Sequence, residues 1–159
     1  MDVAQRLVAG KIGGWFSGRL EGGPRALGSR NIIADPRTTK IRDRVNLVKE
    51  REPWRPLAPA ILLENYATYF EGAASPTMAF SYRIRPDRQR EVAGIVHVDG
   101  TCRPQTLGPQ APTPFRRVVQ QFHKLTNIPM ILSTSFNMKD EPLVLSPADA
   151  VETFRRSAL

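Results

Sequence analysis

The sequence predicts an α/β protein with a mixed sheet, and three observations predict it. Candidate strands and helices interleave along the chain instead of segregating. Short apolar runs such as LAPAILL and NIPMIL are bounded by prolines and polar residues, as buried strands are. Phe115 to Leu125 carries its apolar residues at helical spacing, and Ser146-Pro147 opens a further helix with a cap and a proline at its first position. At 159 residues the chain is long enough for one ordinary domain, and an apolar content of 41% is that of a globular protein.

In chain order, Asp2 caps a short helix that ends at Gly10, and Ile12 to Phe16 reads as a strand. The glycine-rich stretch that follows is a loop leading into SRNIIA, a second strand. Thr38 or Thr39 caps a helix to about Val48, with Ile41, Val45 and Val48 on one face. Pro53, Pro56 and Pro59 keep REPWRPLAP out of a helix interior. LAPAILL is a buried strand and ENYATYF a short helix. MAFSYRIR and GIVHVD both read as strands, and Gly108 to Pro114, with three prolines, as a loop. NIPMILSTSFN begins as a buried strand and ends as a polar loop. The last helix turns Ala150, Val151 and Phe154 inward and reaches Leu159 without a stop signal, so residues 1–159 are expected to be one domain of a longer protein.

The net charge is +8 and the isoelectric point about 10.4, with arginine the main contributor. Arginine suits bidentate capture of phosphate or carboxylate. Nucleic acid, an acidic partner and a phosphorylated small molecule all fit that balance. No window approaches the ~18 apolar residues of a membrane span, and the first residues lack a signal peptide's pattern. A cytoplasmic protein without membrane association is expected. The single cysteine, Cys102, excludes an internal disulfide and reads as a small core residue. With two histidines and no paired cysteines, no metal site is expected. Phosphate-loop, metalloprotease and nucleophile-elbow patterns are all missing.

Four clusters lie at element ends or in loops, where functional groups concentrate. In EGGPRALGSRNIIADPR, glycines allow backbone N–H groups close to an anion, and Arg25 and Arg30 add charge-assisted hydrogen bonds; the same stretch also reads as a tight turn with exposed arginines. In VKEREPWRP, Lys49 and Arg51 are two apart, which sets them on one side of an extended segment, and Arg55 follows across Trp54. Three cations on one stiff loop repel each other unless an anion lies between them, although a solvated basic loop remains open. In HVDGTCRPQT, His97 and Asp99 share a side at a strand end, and Arg103 and Gln105 face one way. His97 suits polar recognition or a structural hydrogen bond more than acid–base work. In STSFN, Thr134, Ser135 and Asn137 offer donors and acceptors, with Ser135 and Asn137 on one side; a self-satisfied hydroxyl-rich turn is the alternative.

Taken in order, GRLEGGPRALGSRNIIADPR, VKEREPWRPLAPAIL, HVDGTCRPQT and STSFNMKDEPLVLSPADAVETF resemble the C-terminal domain of the O-carbamoyltransferases, a family that includes nodulation-factor and antibiotic carbamoyltransferases. The resemblance runs from about Gly18 to Phe154 and is weakest over residues 71–94. It implies a YrdC-like open twisted mixed sheet with flanking helices and a concave basic face. It also implies a Lys-x-Arg pair, here Lys49 and Arg51, and a Ser-x-Asn pair, here Ser135 and Asn137. Ser133 departs from the pattern, which commonly has Asn there.

By that resemblance the domain uses carbamoyl phosphate and ATP, with magnesium on the nucleotide, to form carbamoyl adenylate. A preceding Kae1-like domain, the expected partner, then transfers the carbamoyl group to a hydroxyl. Lys49 and Arg51 are the expected catalytic pair. Thr134, Ser135 and Asn137 would fix the adenylate, and Arg55, Arg103, Arg25, Arg30 and His97 would contribute to the same basin. A threonylcarbamoyl-adenylate synthase-like protein shares both residue pairs but not GGPRALG or HVDGTCRPQT. An RNA-binding module fits the charge but lacks the aromatic and basic alternation that stacks single strands, so nucleic acid is not the expected partner.

Overall fold

The computed structural model describes residues 2–23 and 25–159. Pro24, within the expected anion-binding loop, lies outside the described residues. Helix α1 (Val3–Val8) starts at Asp2, whose backbone N–H donates to the Gln5 side chain at 3.1 Å. Then come β1 (Gly13–Phe16), β2 (Arg30–Ala34), α2 (Thr39–Val48) and β3 (Ala58–Leu62). A 3₁₀ turn (Leu63–Asn65) leads into α3 (Tyr66–Tyr69), followed by β4 (Tyr82–Arg83), a 3₁₀ segment (Gln89–Ile95), β5 (Thr101–Cys102) and β6 (Gln105–Leu107). Helix α4 (Thr113–Thr126), β7 (Met130–Ser135) and α5 (Pro147–Arg156) complete the chain.

Five strands form one sheet in the order β1-β2-β7-β3-β6. The first three pairings are antiparallel and β3 runs parallel to β6, so the sheet is mixed. Strands β4 and β5 form a separate antiparallel ribbon. All residues of β2 and four of the five in β3 are buried, which requires cover on both faces of the sheet. Phe115, Val119 and Phe122 of α4 supply much of it, with α4 packed on β3 and β7 and against α1. Ser133 pairs with both Ile33 and Ala58, so β7 is the central strand. Its last positions, Thr134 and Ser135, are only half-buried. Among the described residues no helix is long and apolar enough to cross a membrane.

Three expectations fail locally. GIVHVD is no strand. Gly94 and Ile95 end the 3₁₀ segment, and the backbone N–H of Gly94 donates to the Pro36 carbonyl at 2.8 Å. A Cβ on Gly94 would lie 2.7 Å from that oxygen and 2.8 Å from the Thr38 carbonyl, so the close backbone approach explains the glycine. His97 to Gly100 forms a turn closed by Gly100 N–H on the His97 carbonyl, and the strands come after it, as β5 and β6, split by Pro104. MAFSYRIR pairs only at Tyr82–Arg83, with a bridge from Ile84 to Phe70. In α5, Ala150 and Thr153 are buried while Val151 and Phe154 stay about half exposed, because among the main elements the helix packs chiefly on the edge strand β1.

The glycine-rich loop is fastened from several sides. Asn31, fully buried on β2, accepts from Gly28 N–H at 2.9 Å and donates to the Ala26 carbonyl and to Ser133 Oγ. Glu21 accepts from Ser29 N–H at 2.8 Å, Gln105 donates to the Leu27 carbonyl, and the Trp15 indole donates to the Gly28 carbonyl at 2.7 Å. Gly28 has φ +123° and faces Phe115 where a Cβ would stand, so no other residue fits there unstrained. Asn31→Ala leaves buried polar groups of loop and strand without partners. We expect it to lower the unfolding free energy by about 2 kcal/mol in urea denaturation.

Candidate functional site

Lys49 and Arg51 owe their positions to the end of α2. Lys49 is the C-cap, and Glu50 adopts a left-handed φ of +50°. Glu50 N–H bonds the Leu47 carbonyl at 3.0 Å and Arg51 N–H the Asn46 carbonyl at 3.1 Å, the two bonds of a Schellman motif. The pair is therefore set by a helix terminus and not by an extended segment. The next four residues form a tight turn, with Arg55 N–H on the Glu52 carbonyl at 3.1 Å. Asn46, almost wholly buried, donates to the carbonyls of Pro53 and Arg55 and accepts from Arg51 Nε at 2.7 Å.

The ammonium of Lys49 sits in a cage of oxygens at the end of β7. It donates to the carbonyls of Ser135 at 2.7 Å and Asn137 at 2.8 Å, to Asn137 Oδ1 at 2.9 Å and to Ser135 Oγ at 3.3 Å. Ser135 Oγ in turn donates to Asn137 Oδ1 at 2.6 Å, and Asn137 Nδ2 to the Glu141 carbonyl at 2.7 Å. Every oxygen in the cage is formally neutral. Burial, and then repulsion from Arg51, push Lys49 down to about 7. The four hydrogen bonds favour the charged form and oppose that displacement.

On either side of this cage lie two polar cavities that share Arg51 and Ser135. The open one, about 290 Å³, is bounded by Lys49, Arg51, Arg55, Ser135, Asn137 and Lys139, with Glu50, Glu52 and Asp140 also on its walls. The more enclosed one, about 130 Å³, is lined by Arg25, Arg51, His97, Arg103, Thr134 and Ser135 and has no carboxylate on its wall. Burial lowers the Arg51 guanidinium's pKa, and Arg55 lowers it further, with Glu52 opposing. Arg103 is lowered by burial and by Arg25. Burial also lowers His97; Asp99 opposes this and Arg103 adds to it. Among the described residues Arg25, Lys49, Arg51 and Arg103 make no salt bridge, whereas Arg37, Arg42, Arg85, Arg88, Arg116 and Arg156 all do. Among those residues other cations also lack a carboxylate partner, Arg6, Arg19, Arg90 and Arg117 among them, but these four converge on two neighbouring cavities: Arg25, Lys49, Arg51 and Arg103.

Nine of the ten expected site residues line these cavities, and Thr134 is among them. Arg55 stands at the rim, exposed and paired with Glu52 at 3.0 Å. Arg30 does not join them. It is buried, donates to the carbonyls of Ser17, Gly18 and Ser29, and lies 3.5 Å over the Phe16 ring, holding β1 and its turn to β2. Asp99 does not face the cavity with His97; it is exposed and caps the turn through Thr101 N–H and Oγ1. Nor do Arg103 and Gln105 share a cavity, since Gln105 faces the loop at Leu27. Sequence reasoning missed Asn46 and Lys139. The signal for Asn46 was a polar residue beside the apolar face of α2; nothing in the sequence singled out Lys139.

Residues 4–159 match the family described as Carbamoyltransferase C-terminus. Nodulation protein NolNO of Sinorhizobium fredii (strain NBRC 101917 / NGR234) is 43% identical over 162 residues, covering 96% of this chain and 24% of that protein. Nodulation protein NolO of Bradyrhizobium diazoefficiens is 43% identical over 158 residues, covering 96% and 29%. The chain therefore spans between 24% and 29% of the length of these relatives. Among solved structures, full-length HypF in its phosphate- and nucleotide-bound form superposes with a TM-score of 0.66 at 18% identity, covering 96% of this chain and 19% of HypF. HypF of T. kodakarensis gives 0.62 at 13% identity, covering 94% and 18%. The fold is the YrdC-like α/β fold expected from the sequence. With a family match over nearly its whole length and relatives at 43% identity, the chain belongs to the carbamoyltransferase C-terminus family.

Proposed function

We propose that this domain binds carbamoyl phosphate and ATP in the basin around Lys49 and Arg51 and forms carbamoyl adenylate. One observation carries the reading: Arg25, Lys49, Arg51 and Arg103, which lack carboxylate partners among the described residues, converge on the end of β7. Two polyanions repel each other, and bringing them within reacting distance requires fixed cations between them. HypF, which contains this fold, was crystallised with phosphate and nucleotide, and this supports the same ligand chemistry.

In this reading the enclosed cavity, with Arg25, Arg103 and His97, holds the smaller anion. Arg51, on the wall of both cavities, lies between carbamoyl phosphate and nucleotide. Water first splits carbamoyl phosphate into carbamate and inorganic phosphate. A carbamate oxygen then attacks the α-phosphorus of ATP, forming the carbamoyl–adenylate P–O bond as the bond to pyrophosphate breaks, and pyrophosphate leaves with the bonding electrons. Lys49 and Arg51 neutralise charge on the phosphates; Thr134, Ser135 and Asn137 fix the adenylate. His97, with its pKa lowered by burial, serves as a neutral hydrogen-bonding wall. Among the described residues no group of three or more His, Cys, Asp and Glu side chains is gathered for a metal ion, so magnesium fits as a passenger on the nucleotide phosphates. The greater length of the relatives supports a partner region, which we take to be a preceding Kae1-like domain that moves the carbamoyl group to a hydroxyl.

Lys49→Met and Arg51→Ala should each weaken ATP or carbamoyl phosphate binding about tenfold or more in calorimetric titration, the scale of a lost hydrogen bond to a charged group. Unchanged affinity in both variants would sink the assignment. Carbamoyl-phosphate-dependent pyrophosphate release measures the half-reaction itself.

The depressed Lys49 gives a second test. An anion in the basin raises its pKa, so at pH 8 binding takes up a proton. Affinity should fall as the pH rises above about 7, and calorimetry in buffers of different ionisation enthalpy should register the uptake. In Lys49→Met that uptake should vanish. In the absence of ligand the sign reverses. Above about 7 the folded protein binds fewer protons at Lys49 than the unfolded chain, so this group's contribution to stability grows as the pH rises toward the ordinary lysine range.

A further inference from the structure

We propose that Trp54 is the platform on which the base of the bound nucleotide stacks, an assignment that rests on the reading above that the basin takes ATP. Trp54 is 70% exposed, an unusual state for a large apolar side chain beside a polar site. It is not loosely held. It occupies the second corner of the turn Glu52-Pro53-Trp54-Arg55, which is closed by the Arg55 N–H bond and clamped by Asn46 through the carbonyls on either side of the tryptophan. Proline at the preceding position fixes the backbone further. The backbone beneath the indole is thus a rigid support, which lowers the ordering a ligand must impose, and the Arg55 guanidinium lies 6.0 Å from the ring centroid.

Beside it lies a cavity of about 290 Å³, bounded by Trp54, Arg42, Arg55, Leu57, His97 and Val98. Its walls are mainly apolar, Val98 is fully exposed, and its only charged residues are Arg42 and Arg55. This cavity shares Arg55 with the open basin and Pro56, Leu57 and His97 with the enclosed one. The tryptophan cavity thus adjoins both basins, within reach of the far end of a ligand whose phosphates lie among Lys49, Arg51 and Arg55. A flat heteroaromatic ring suits an indole face, an apolar floor and an arginine edge, whereas a further phosphate does not. Trp15 is no rival: its indole is anchored to the Gly28 carbonyl and packed on Phe115.

The test compares ATP with inorganic tripolyphosphate, which has the charge and no base. ATP should quench the tryptophan fluorescence of the wild-type protein, and tripolyphosphate should not. By calorimetry, Trp54→Ala should raise the ATP dissociation constant about tenfold and leave that of tripolyphosphate unchanged, and Trp54→Phe should recover most of the loss. Because Trp54 is exposed, neither variant disturbs the core. Equal ATP affinity in wild type and Trp54→Ala would overturn the assignment and leave the ATP reading standing, as would an equal loss for both probes. The first of these is also what a tryptophan serving as an anchor for a protein partner predicts. If neither probe binds the wild-type protein, the assignment and the reading beneath it both fall.

Discussion

The bond set around the Lys49 ammonium joins the end of α2 to the end of β7, two points more than eighty residues apart in sequence. Both ends are places where regular structure runs out. The helix needs its last carbonyls satisfied, and the central strand leaves backbone and hydroxyl oxygens past its last ladder partner. Lysine serves the second need from the first site. Its stem crosses the junction and its three protons meet four oxygens, among them the carbonyls of Ser135, the last residue of β7, and of Asn137 just beyond it. Cavities on both sides of this junction exist because helix and strand are held at that distance.

The arrangement is electrostatically incomplete. A buried ammonium solvated by neutral dipoles is tolerable, since hydrogen bonds replace much of the lost water, but its net charge has no counterion. Arg51 stands nearby and raises the cost, and Arg25 and Arg103 repeat the pattern in the enclosed cavity. Some arginines elsewhere are paired, Arg37 with Asp35 at 2.6 Å and Arg116 with Glu64 at 2.7 Å. Others, such as Arg6 and Arg90, have no carboxylate partner among the described residues and line neither cavity of the site. What distinguishes the site is the convergence of Arg25, Lys49, Arg51 and Arg103 on two adjoining cavities, an arrangement that raises the local positive potential.

Much of this was legible in sequence, though not always for the right reason. β2, β3 and β7 were readable because central strands are continuous apolar runs, α2 because cap and helical spacing agree, α4 by spacing alone and α5 by its Ser146-Pro147 start. Lys49 and Arg51 were paired on the expectation of an extended segment, and a Schellman turn with a left-handed Glu50 delivers the same proximity by other means. Ser135 and Asn137 converge because both bind one ammonium, a long-range fact that no local pattern contains. Arg30 misled for the opposite reason. An arginine beside glycines looks exposed, and only the tertiary structure reveals that its guanidinium fills a nest of carbonyls over Phe16. GIVHVD failed because a glycine that reads as neutral in a strand is here required by backbone packed against backbone.

Two buried asparagines hold the walls of the site in place. Asn31 fixes the glycine-rich loop to β7 on one side, and Asn46 fixes the loop of Arg51, Trp54 and Arg55 to α2 on the other. Each bonds backbone groups that belong to no ladder or helix, so each replaces regular secondary structure where the chain must bend around a cavity. A carboxylate at either position would bind the same backbone donors but would also neutralise the neighbouring cations. An apolar residue would leave the cations alone but strand the backbone. A neutral amide meets both demands: it holds the walls in place and leaves the positive charge between them for a ligand.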